Sequence, residues 1–351
     1  MILNAYAVLG AFVLALRALL GLLVVGQASL ALAQGGNTES PEGKKVLEDR
    51  YYLLFLMAIL LLVLNFLSWP LFYLLLQSYV EARVWSGVMC IYGVTQIGTG
   101  SINASRFLPA LVQSLETTKP LLVFLSGAWF VLYLLNRRTQ TGPLLRRVLL
   151  VLIVLGSLVL ADSVVEAAYL GIPKKEKFLD AGCCTVPFDA EARSSRFLPQ
   201  AILGERYESG LTAAYFGLNA AMIAVLSWLT YRAGWSPGGV VLGAVAAVAL
   251  ICLAVSGVYL VEVAAPALLR QADHHCPYCL VPRAPESMVA VALLVLGTFS
   301  VGWGGVARWF GRCPETEPFL GGVVRQTLRL GLFGYLGSLV MMALELALAR
   351  S

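Results

Sequence analysis

Long, nearly continuous apolar segments restrict the fold of this chain more than any other feature of its sequence. The clearest cover residues 51–79, 148–171, 238–268 and 322–346, and each is longer than 20 residues. A helix of about 20 apolar residues crosses the hydrocarbon core of a bilayer, whereas the strands of a membrane barrel alternate apolar and polar residues. The segments therefore predict transmembrane helices rather than barrel strands.

The overall composition indicates that lipid is the main solvent of the chain. Hydrophobic residues make up 59% and charged residues 13% of the sequence, against about 45–50% and about 25% in soluble domains. Four further segments have a similar character, at 2–33, 120–136, 211–231 and 287–307. We therefore predict an all-α, polytopic membrane helical bundle of about eight transmembrane helices, which forms a single integral domain over residues 1–351 and is surrounded by the lipid bilayer.

The end of the first apolar segment has the features of a cleavage site. Ala31-Leu32-Ala33 places small residues at the spacing that signal peptidase recognises. No basic region precedes the apolar run, however, and the run is longer than the core of a signal peptide. We expect this segment to be retained as a membrane helix.

The basic residues of the short loops predict the orientation of the helices. The turn between the third and fourth segments holds four arginines, the turn between the fifth and sixth holds Arg232, and the loop between the seventh and eighth with its flanks holds four more. Alternation places these three connections on one side, which the positive-inside rule makes cytoplasmic. The other three long connections, about 80–118, 172–210 and 269–286, are then external.

The cysteines agree with this orientation, because five of the seven fall in the three external loops. Disulfides persist outside the cytosol and are rare inside it. The orientation rests on basic residues alone, so the cysteine clustering is an independent agreement. We predict a protein of a bacterial inner (plasma) membrane whose cysteine loops lie on the periplasmic or extracellular side. The five loop cysteines are Cys90, Cys183, Cys184, Cys276 and Cys279.

The third external loop contains the stretch His274–Cys279, HHCPYC, which includes both histidines of the chain. A Cys-x-x-Cys pair near a helix start closes into a reducible disulfide, and nearby cations lower the pKa of its thiols. The Pro-Tyr between the cysteines resembles the active-site motif of the glutaredoxins, and this resemblance implies a redox-active dithiol. We predict Cys276 and Cys279 as the primary catalytic pair, with His274 or His275 tuning the thiolate.

The remaining loop cysteines suit the role of an electron shuttle. In membrane enzymes that generate disulfides, a dithiol beside a quinone exchanges with a second cysteine pair on an external loop. Cys183 and Cys184 are adjacent, and Cys90 lies in another external loop. We therefore predict a membrane-embedded thiol–disulfide redox protein in which these three cysteines also take part in catalysis. A quinone is the candidate electron acceptor, and an external thiol–disulfide protein is the candidate partner.

Two other functions stay open at the level of sequence. His274, His275, Cys276 and Cys279 are ligand types that suit a soft metal ion such as zinc or copper. In this second possibility, the chain is a soft-metal-ion binding or transport protein with a metal-carrying protein as its partner. In the third possibility it is a non-catalytic membrane subunit of a larger respiratory or secretory complex. The net charge of +5 is modest and indicates no nucleic-acid partner.

Four acidic residues lie within the apolar segments. Asp162 and Glu166 are one helical turn apart and share a helix face, whereas Glu262 and Glu345 fall in the same outer half of the predicted bundle. Intramembrane acids are costly and usually face a bundle interior or a pathway. We predict that the four acids form a proton or ion pathway. Pairing with Arg270 or with other basic residues near the interface is the alternative.

Overall fold

The structure is a computed structural model whose described residues are mostly helical. No strand occurs in these residues, and eight helices are long and apolar enough to cross a membrane. The predicted all-α architecture with about eight candidate spans is confirmed, and it is consistent with an integral membrane protein. The described residues are 4–34, 41–82, 88, 90–99, 102–172, 188–191, 193–232 and 237–350, without the side chains of 41–49 and 350.

The first compact unit contains four of the eight candidate spans. It comprises Met1–Ala181 together with Cys313–Thr316. Its helices are α1 (Ala5–Gln34), α2 (Pro41–Glu81), α3 (Ile91–Thr95), α4 (Leu108–Arg137) and α5 (Leu145–Gly171), with a 3₁₀ turn at Ala104–Phe107 before α4. The four long helices form a ring, because α1 packs against α2 and α5, and α4 also packs against both. Polar side chains inside such a ring are kept from lipid.

The second compact unit contains the other four candidate spans. It comprises Gly182–Arg312 and Glu317–Ser351. Its helices are α6 (Ser194–Leu203), α7 (Tyr207–Tyr231), α8 (Gly239–Tyr259), α9 (Ala265–Leu269), α10 (Leu280–Arg283), α11 (Pro285–Phe310) and α12 (Glu317–Arg350). A π-helical turn, Leu260–Ala264, joins α8 to α9, and a 3₁₀ turn, Pro277–Cys279, precedes α10. The long helices again form a ring, in the order α7, α8, α11 and α12. The prediction of a single domain over 1–351 stays a prediction.

The third candidate span begins earlier than the sequence predicts. The sequence predicts residues 80–118 as a loop or a re-entrant segment packed against protein, because they are too polar to face lipid, but α4 begins at Leu108. Pro109 lies in the first turn, where its missing N–H and fixed φ suit a helix start. The polar Lys119 is only 1% exposed. The segment is thus helical from Leu108 onward, with Gln113 and Ser114 exposed and Lys119 buried.

The tightest helix contact in the second unit depends on two glycines. A Cβ atom added to Gly334 on α12 would lie 2.6 Å from the backbone nitrogen of Gly297 on α11. A Cβ atom on Gly297 would lie 2.9 Å from the ring of Tyr335. Small residues allow such close approach of helices that pack within a membrane. The α11–α12 pair is thus closely packed at these glycines.

Candidate functional site

The predicted redox pair lies in the connection between α9 and α11. The helix before it ends at Arg270, whose left-handed backbone conformation (φ 54°) stops α9. Pro277 begins the 3₁₀ turn that contains Cys279, and α10 follows directly. The sulfur atoms of Cys276 and Cys279 lie within 4.8 Å of each other. Cys276 is fully buried, whereas Cys279 is partly exposed.

His274 connects this pair to an acidic residue. Its Nδ1 lies 3.0 Å from Oδ2 of Asp189, and its side chain also forms a hydrogen bond with Cys279. Burial lowers the pKa of His274, but the hydrogen bonds to Cys279 and Asp189, together with their charges, outweigh burial and raise it. The structure thus selects His274 as the imidazole beside the thiols, and Cys279 as the thiol it contacts.

Asp189 is a residue of the candidate site that sequence reasoning missed. Its Oδ2 accepts the proton of His274 Nδ1, and its Oδ1 accepts the backbone N–H of His275 at 3.1 Å. The neighbouring Phe188 ring meets the Tyr278 ring edge-on, with 6.4 Å between centroids. Asp189 and His274 are 85 positions apart in the chain. The charge balance of the loop around Asp189 therefore gave no signal for this contact.

His275 has a different role from its neighbour. Its Nδ1 donates a hydrogen bond to the carbonyl oxygen of Val261 at 3.2 Å. Val261 lies in the π-helical turn. Single π-helical turns of this kind are frequent at functional sites. Burial first, and then the charge of Arg193, lower the pKa of His275. The His275 ring therefore attaches the HHCPYC loop to the π-helical turn through a hydrogen bond that it can donate as a neutral imidazole.

A buried ion pair, Arg193–Glu262, lies close enough to His275 to influence its charge. Arg193 donates from Nη2 to Oε2 of Glu262 at 2.6 Å and from Nε to Oε1 at 2.9 Å. Tyr207 donates its hydroxyl proton to the same Oε2 at 2.6 Å. The basic partner of Glu262 in the structure is thus Arg193, whereas the sequence predicts Arg270 or other basic residues near the interface as the alternative. This pair attaches the start of α6 to the π-helical turn of the second unit.

The first unit contains a separate cluster of four buried charges. Arg17 Nη2 lies 2.9 Å from Oδ2 of Asp162, and Arg17 Nη1 lies 3.3 Å from Oε2 of Glu166. Lys119 Nζ lies 2.8 Å from the same Glu166 oxygen and 3.5 Å from Asp162 Oδ2. Two cations and two carboxylates make the cluster neutral in net charge. We refer to these four residues as the charged tetrad.

Polar side chains complete the hydrogen bonding of the charged tetrad. Asn65 accepts from Arg17 Nε at 3.1 Å and donates to the hydroxyl of Ser126 at 3.0 Å. Lys119 donates to Ser68 at 3.0 Å, and Thr118 donates to Asp162. All four long helices of the unit contribute to this network. The sequence identified Asp162 and Glu166 as intramembrane acids but missed Lys119, which falls between the predicted loop (80–118) and the predicted third span (120–136).

Two further predicted site residues also have described positions. Cys90 is buried in the first unit, directly before α3. Glu345 lies in α12 and is partly exposed. Cys183 and Cys184 lie outside the described residues. The shuttle role of Cys90, Cys183 and Cys184 stays a prediction, as does the proton or ion pathway along the four acids.

Comparison with known proteins adds no analogy to this picture. No protein-family model, curated protein or solved structure matches the chain. The function is therefore inferred from the chemistry of its own residues.

Proposed function

We propose that this chain is a membrane-embedded thiol–disulfide redox protein with Cys276 and Cys279 as its active dithiol. The observation that carries the proposal is the pairing of the partly exposed Cys279 thiol with the His274 imidazole, within 4.8 Å of a second, buried thiol. An adjacent imidazole is the common device that activates a cysteine, and a close second thiol completes a disulfide couple.

The chemistry of such a pair is a two-electron exchange. Two thiols form one disulfide and release two protons and two electrons, which reduce a partner's disulfide or a quinone. In the proposed topology the pair faces the oxidising side of a bacterial inner membrane, where disulfides persist. Cys90, Cys183 and Cys184 are the proposed shuttle between this pair and an external thiol–disulfide protein.

A soft metal ion is the second candidate for the same site. Cys276, Cys279 and His274 offer two thiolates and one imidazole, which are ligand types that zinc and copper favour. The two sulfur atoms are close enough to share one ion. In this case the protein binds or transports the ion, and the thiols do not change oxidation state.

One experiment separates the two functions. Full-length protein that retains only Cys276 and Cys279 is equilibrated with reduced and oxidised glutathione at several ratios. It is then alkylated, and the number of alkylated thiols is measured by intact mass. The redox proposal predicts that both thiols disappear and return together, and that the purified protein carries no stoichiometric metal. Cys276→Ser and Cys279→Ser are the controls, since neither can form the internal disulfide. Thiols that resist oxidation, with one metal ion per chain that either substitution removes, would overturn the redox proposal in favour of metal binding.

A further inference from the structure

The two sulfur atoms of the pair differ in accessibility. Cys276 has no exposed surface, whereas Cys279 is partly exposed. Thiol–disulfide exchange requires that the attacking sulfur reaches the sulfur it attacks, so access decides which thiol meets an external partner. A buried sulfur can still exchange with its neighbour in the same loop. The geometry therefore gives Cys279 the outer position and Cys276 the inner one.

The two sulfur atoms also differ in their contact with His274. The imidazole forms a side-chain hydrogen bond with Cys279. A positioned imidazole takes the proton of a thiol as it becomes a nucleophile and returns it to the leaving thiolate. The sulfur that exchanges with the partner is the one that needs this proton transfer. Accessibility and hydrogen bonding thus favour the same cysteine.

Asp189 fixes the orientation of that imidazole. One carboxylate oxygen lies 3.0 Å from His274 Nδ1, and the other accepts the His275 backbone N–H at 3.1 Å. Because two oxygens of one carboxylate hold two successive residues, the ring of His274 cannot turn without breaking a bond. With Nδ1 facing Asp189, Nε2 is the nitrogen left for the thiol. An acid that orients a base beside a nucleophile is the arrangement found in hydrolytic triads.

On the basis of the proposed function, we infer that Cys279 is the sulfur that forms the mixed disulfide with the exchange partner, that Cys276 resolves it, and that Asp189 is a positioning residue acting through His274. In the reducing direction, Cys279 gives its proton to His274 and attacks the partner's disulfide. That disulfide breaks, and its leaving sulfur takes the proton from His274. A mixed disulfide now joins Cys279 to the partner.

The second half of the cycle completes the exchange. Cys276 attacks the sulfur of Cys279, and the partner's remaining sulfur leaves as a thiol with the proton that Cys276 loses. Cys276 and Cys279 are then joined in a disulfide, and the partner has gained two electrons and two protons. The same steps in reverse oxidise a partner dithiol. In both directions the covalent intermediate is carried by Cys279.

Glutathione disulfide serves as the probe for the assignment of the sulfurs. Each single-thiol variant, Cys276→Ser and Cys279→Ser, is prepared in full-length protein whose other five cysteines are alanine. Adduct formation is followed by intact mass. We expect the Cys276→Ser protein, which retains Cys279, to form its glutathione adduct on the order of tenfold or more faster than the Cys279→Ser protein.

The outcomes distinguish this inference from the proposed function. A faster adduct on Cys276 would overturn the assignment, while a reversible Cys276–Cys279 disulfide in the intact pair would leave the redox function standing. If the intact pair forms no reversible disulfide, the proposed function fails first. Circular dichroism and thermal unfolding of both variants confirm that they are folded.

The role of Asp189 is tested in the Cys276→Ser background. Asp189→Asn should slow adduct formation about tenfold, and Asp189→Glu should recover part of the rate, because it restores the carboxylate. Asp273→Asn is the matched control, since Asp273 is an exposed acid directly before His274. A free imidazole in the buffer should partly restore the rate of a His274→Ala variant. Equal rates for Asp189→Asn and Asp273→Asn would overturn the positioning role.

Discussion

His274 and His275 are neighbours in sequence, yet their rings meet opposite electrostatic surroundings. Burial lowers the pKa of His274, but its hydrogen bonds to Cys279 and Asp189 outweigh burial, so this pKa lies above 6.5. Burial, followed by the charge of Arg193, lowers the pKa of His275 below 6.5. His274 therefore holds an added proton more strongly than a free imidazole does, and His275 holds it less strongly. One ring is thus suited to proton transfer at a thiol, and the other to a structural hydrogen bond.

This difference predicts opposite effects of pH on the contributions of the two histidines to stability. Because the folded-state pKa of His274 is raised, its contribution is complete below the unfolded pKa of about 6.5 and is lost as the pH rises through the folded pKa. Because the folded-state pKa of His275 is lowered, its contribution is present above about 6.5 and is lost as the pH falls through that lower pKa.

NMR of ¹⁵N-labelled imidazoles measures both histidines directly, since the chain has only two. One signal should titrate above pH 6.5 and the other below it. His274→Gln should remove the first signal and thereby assign both. Two signals that titrate at the same pH would contradict the opposite surroundings described above.

Residues of this site differ in how far a sequence can reveal them. Cys276, Cys279 and His274 could be predicted because rare, reactive residue types lie within a few positions of one another. Asp189 could not, because it meets His274 across 85 positions and no local spacing connects them. The division of labour between His274 and His275 was also hidden, since it depends on which carbonyl or carboxylate each ring reaches after folding.

At the scale of elements, the charged tetrad joins three helices of the first unit through four ionic contacts. Arg17 comes from α1, Lys119 from α4, and Asp162 and Glu166 from α5. All four side chains are nearly inaccessible to solvent. A buried charge that loses its partner is strongly destabilising, whereas apolar replacement of a whole pair is often tolerated. The tetrad therefore makes the stability of the unit depend on matched charges.

Substitution of one member should therefore be worse than substitution of a pair. Arg17→Met leaves two carboxylates with one cation, and we expect the free energy of unfolding to fall by about 3–5 kcal/mol. Arg17→Met combined with Asp162→Leu should recover most of this loss. Arg146→Met is the control at an exposed arginine, with an expected change within about 0.5 kcal/mol. Thermal and denaturant unfolding in detergent measure all three, and an additive loss in the double variant would contradict the pairing.

The α11–α12 contact gives a second prediction at this scale. Gly334→Ala would place a Cβ atom 2.6 Å from Gly297 N and 2.7 Å from Leu293 O. Backbone atoms cannot move aside as a side chain can, so the helices must separate, and we expect a loss of about 1–3 kcal/mol. Gly322→Ala lies on the same helix and meets no atom within 4 Å. If both variants unfold at the same temperature, the close approach contributes nothing.

The extents of the helices show what the apolar pattern can and cannot predict. The eight candidate spans follow from hydropathy, because lipid-facing residues must be apolar along the whole crossing. The first half of α4 cannot be predicted from hydropathy in the same way. Its polar side chains Lys119 and Thr118 form hydrogen bonds with residues on α2 and α5. A helix whose polar side chains are partly exposed and partly paired has the same local composition as a loop, so only the folded contacts distinguish the two.

At the scale of the whole chain, the two units have the same arrangement of long helices. Each is a ring of four long helices in chain order, and in each the connection between the second and third long helices carries cysteine. The connections also share a Cys-x-Tyr sequence, Cys90-Ile91-Tyr92 and Cys276-Pro277-Tyr278. Only the second of these continues into a second cysteine. The second unit is therefore the one equipped with a dithiol.

The orientation predicted from arginines can be tested with single-cysteine variants. Cys279 and Cys313 are both partly exposed and fall on opposite sides in the predicted topology. A membrane-impermeant maleimide added to intact cells should label a variant that retains only Cys279. The same maleimide should label a variant that retains only Cys313 only after the cells have been permeabilised. The reverse pattern would place the dithiol on the cytoplasmic side, where stable disulfides are rare.

The reduction potential of the Cys276–Cys279 couple tests the central claim most directly. Full-length protein that retains these two cysteines is equilibrated in glutathione buffers of defined potential, and the oxidised fraction is measured by alkylation and mass. An exchanging pair should follow a two-electron Nernst curve with a midpoint above about −300 mV, the level below which structural disulfides typically lie. Asp189→Asn should shift that midpoint, whereas Asp273→Asn should not. A pair that forms no disulfide, or one that stays oxidised below about −300 mV, would contradict a redox function for this protein.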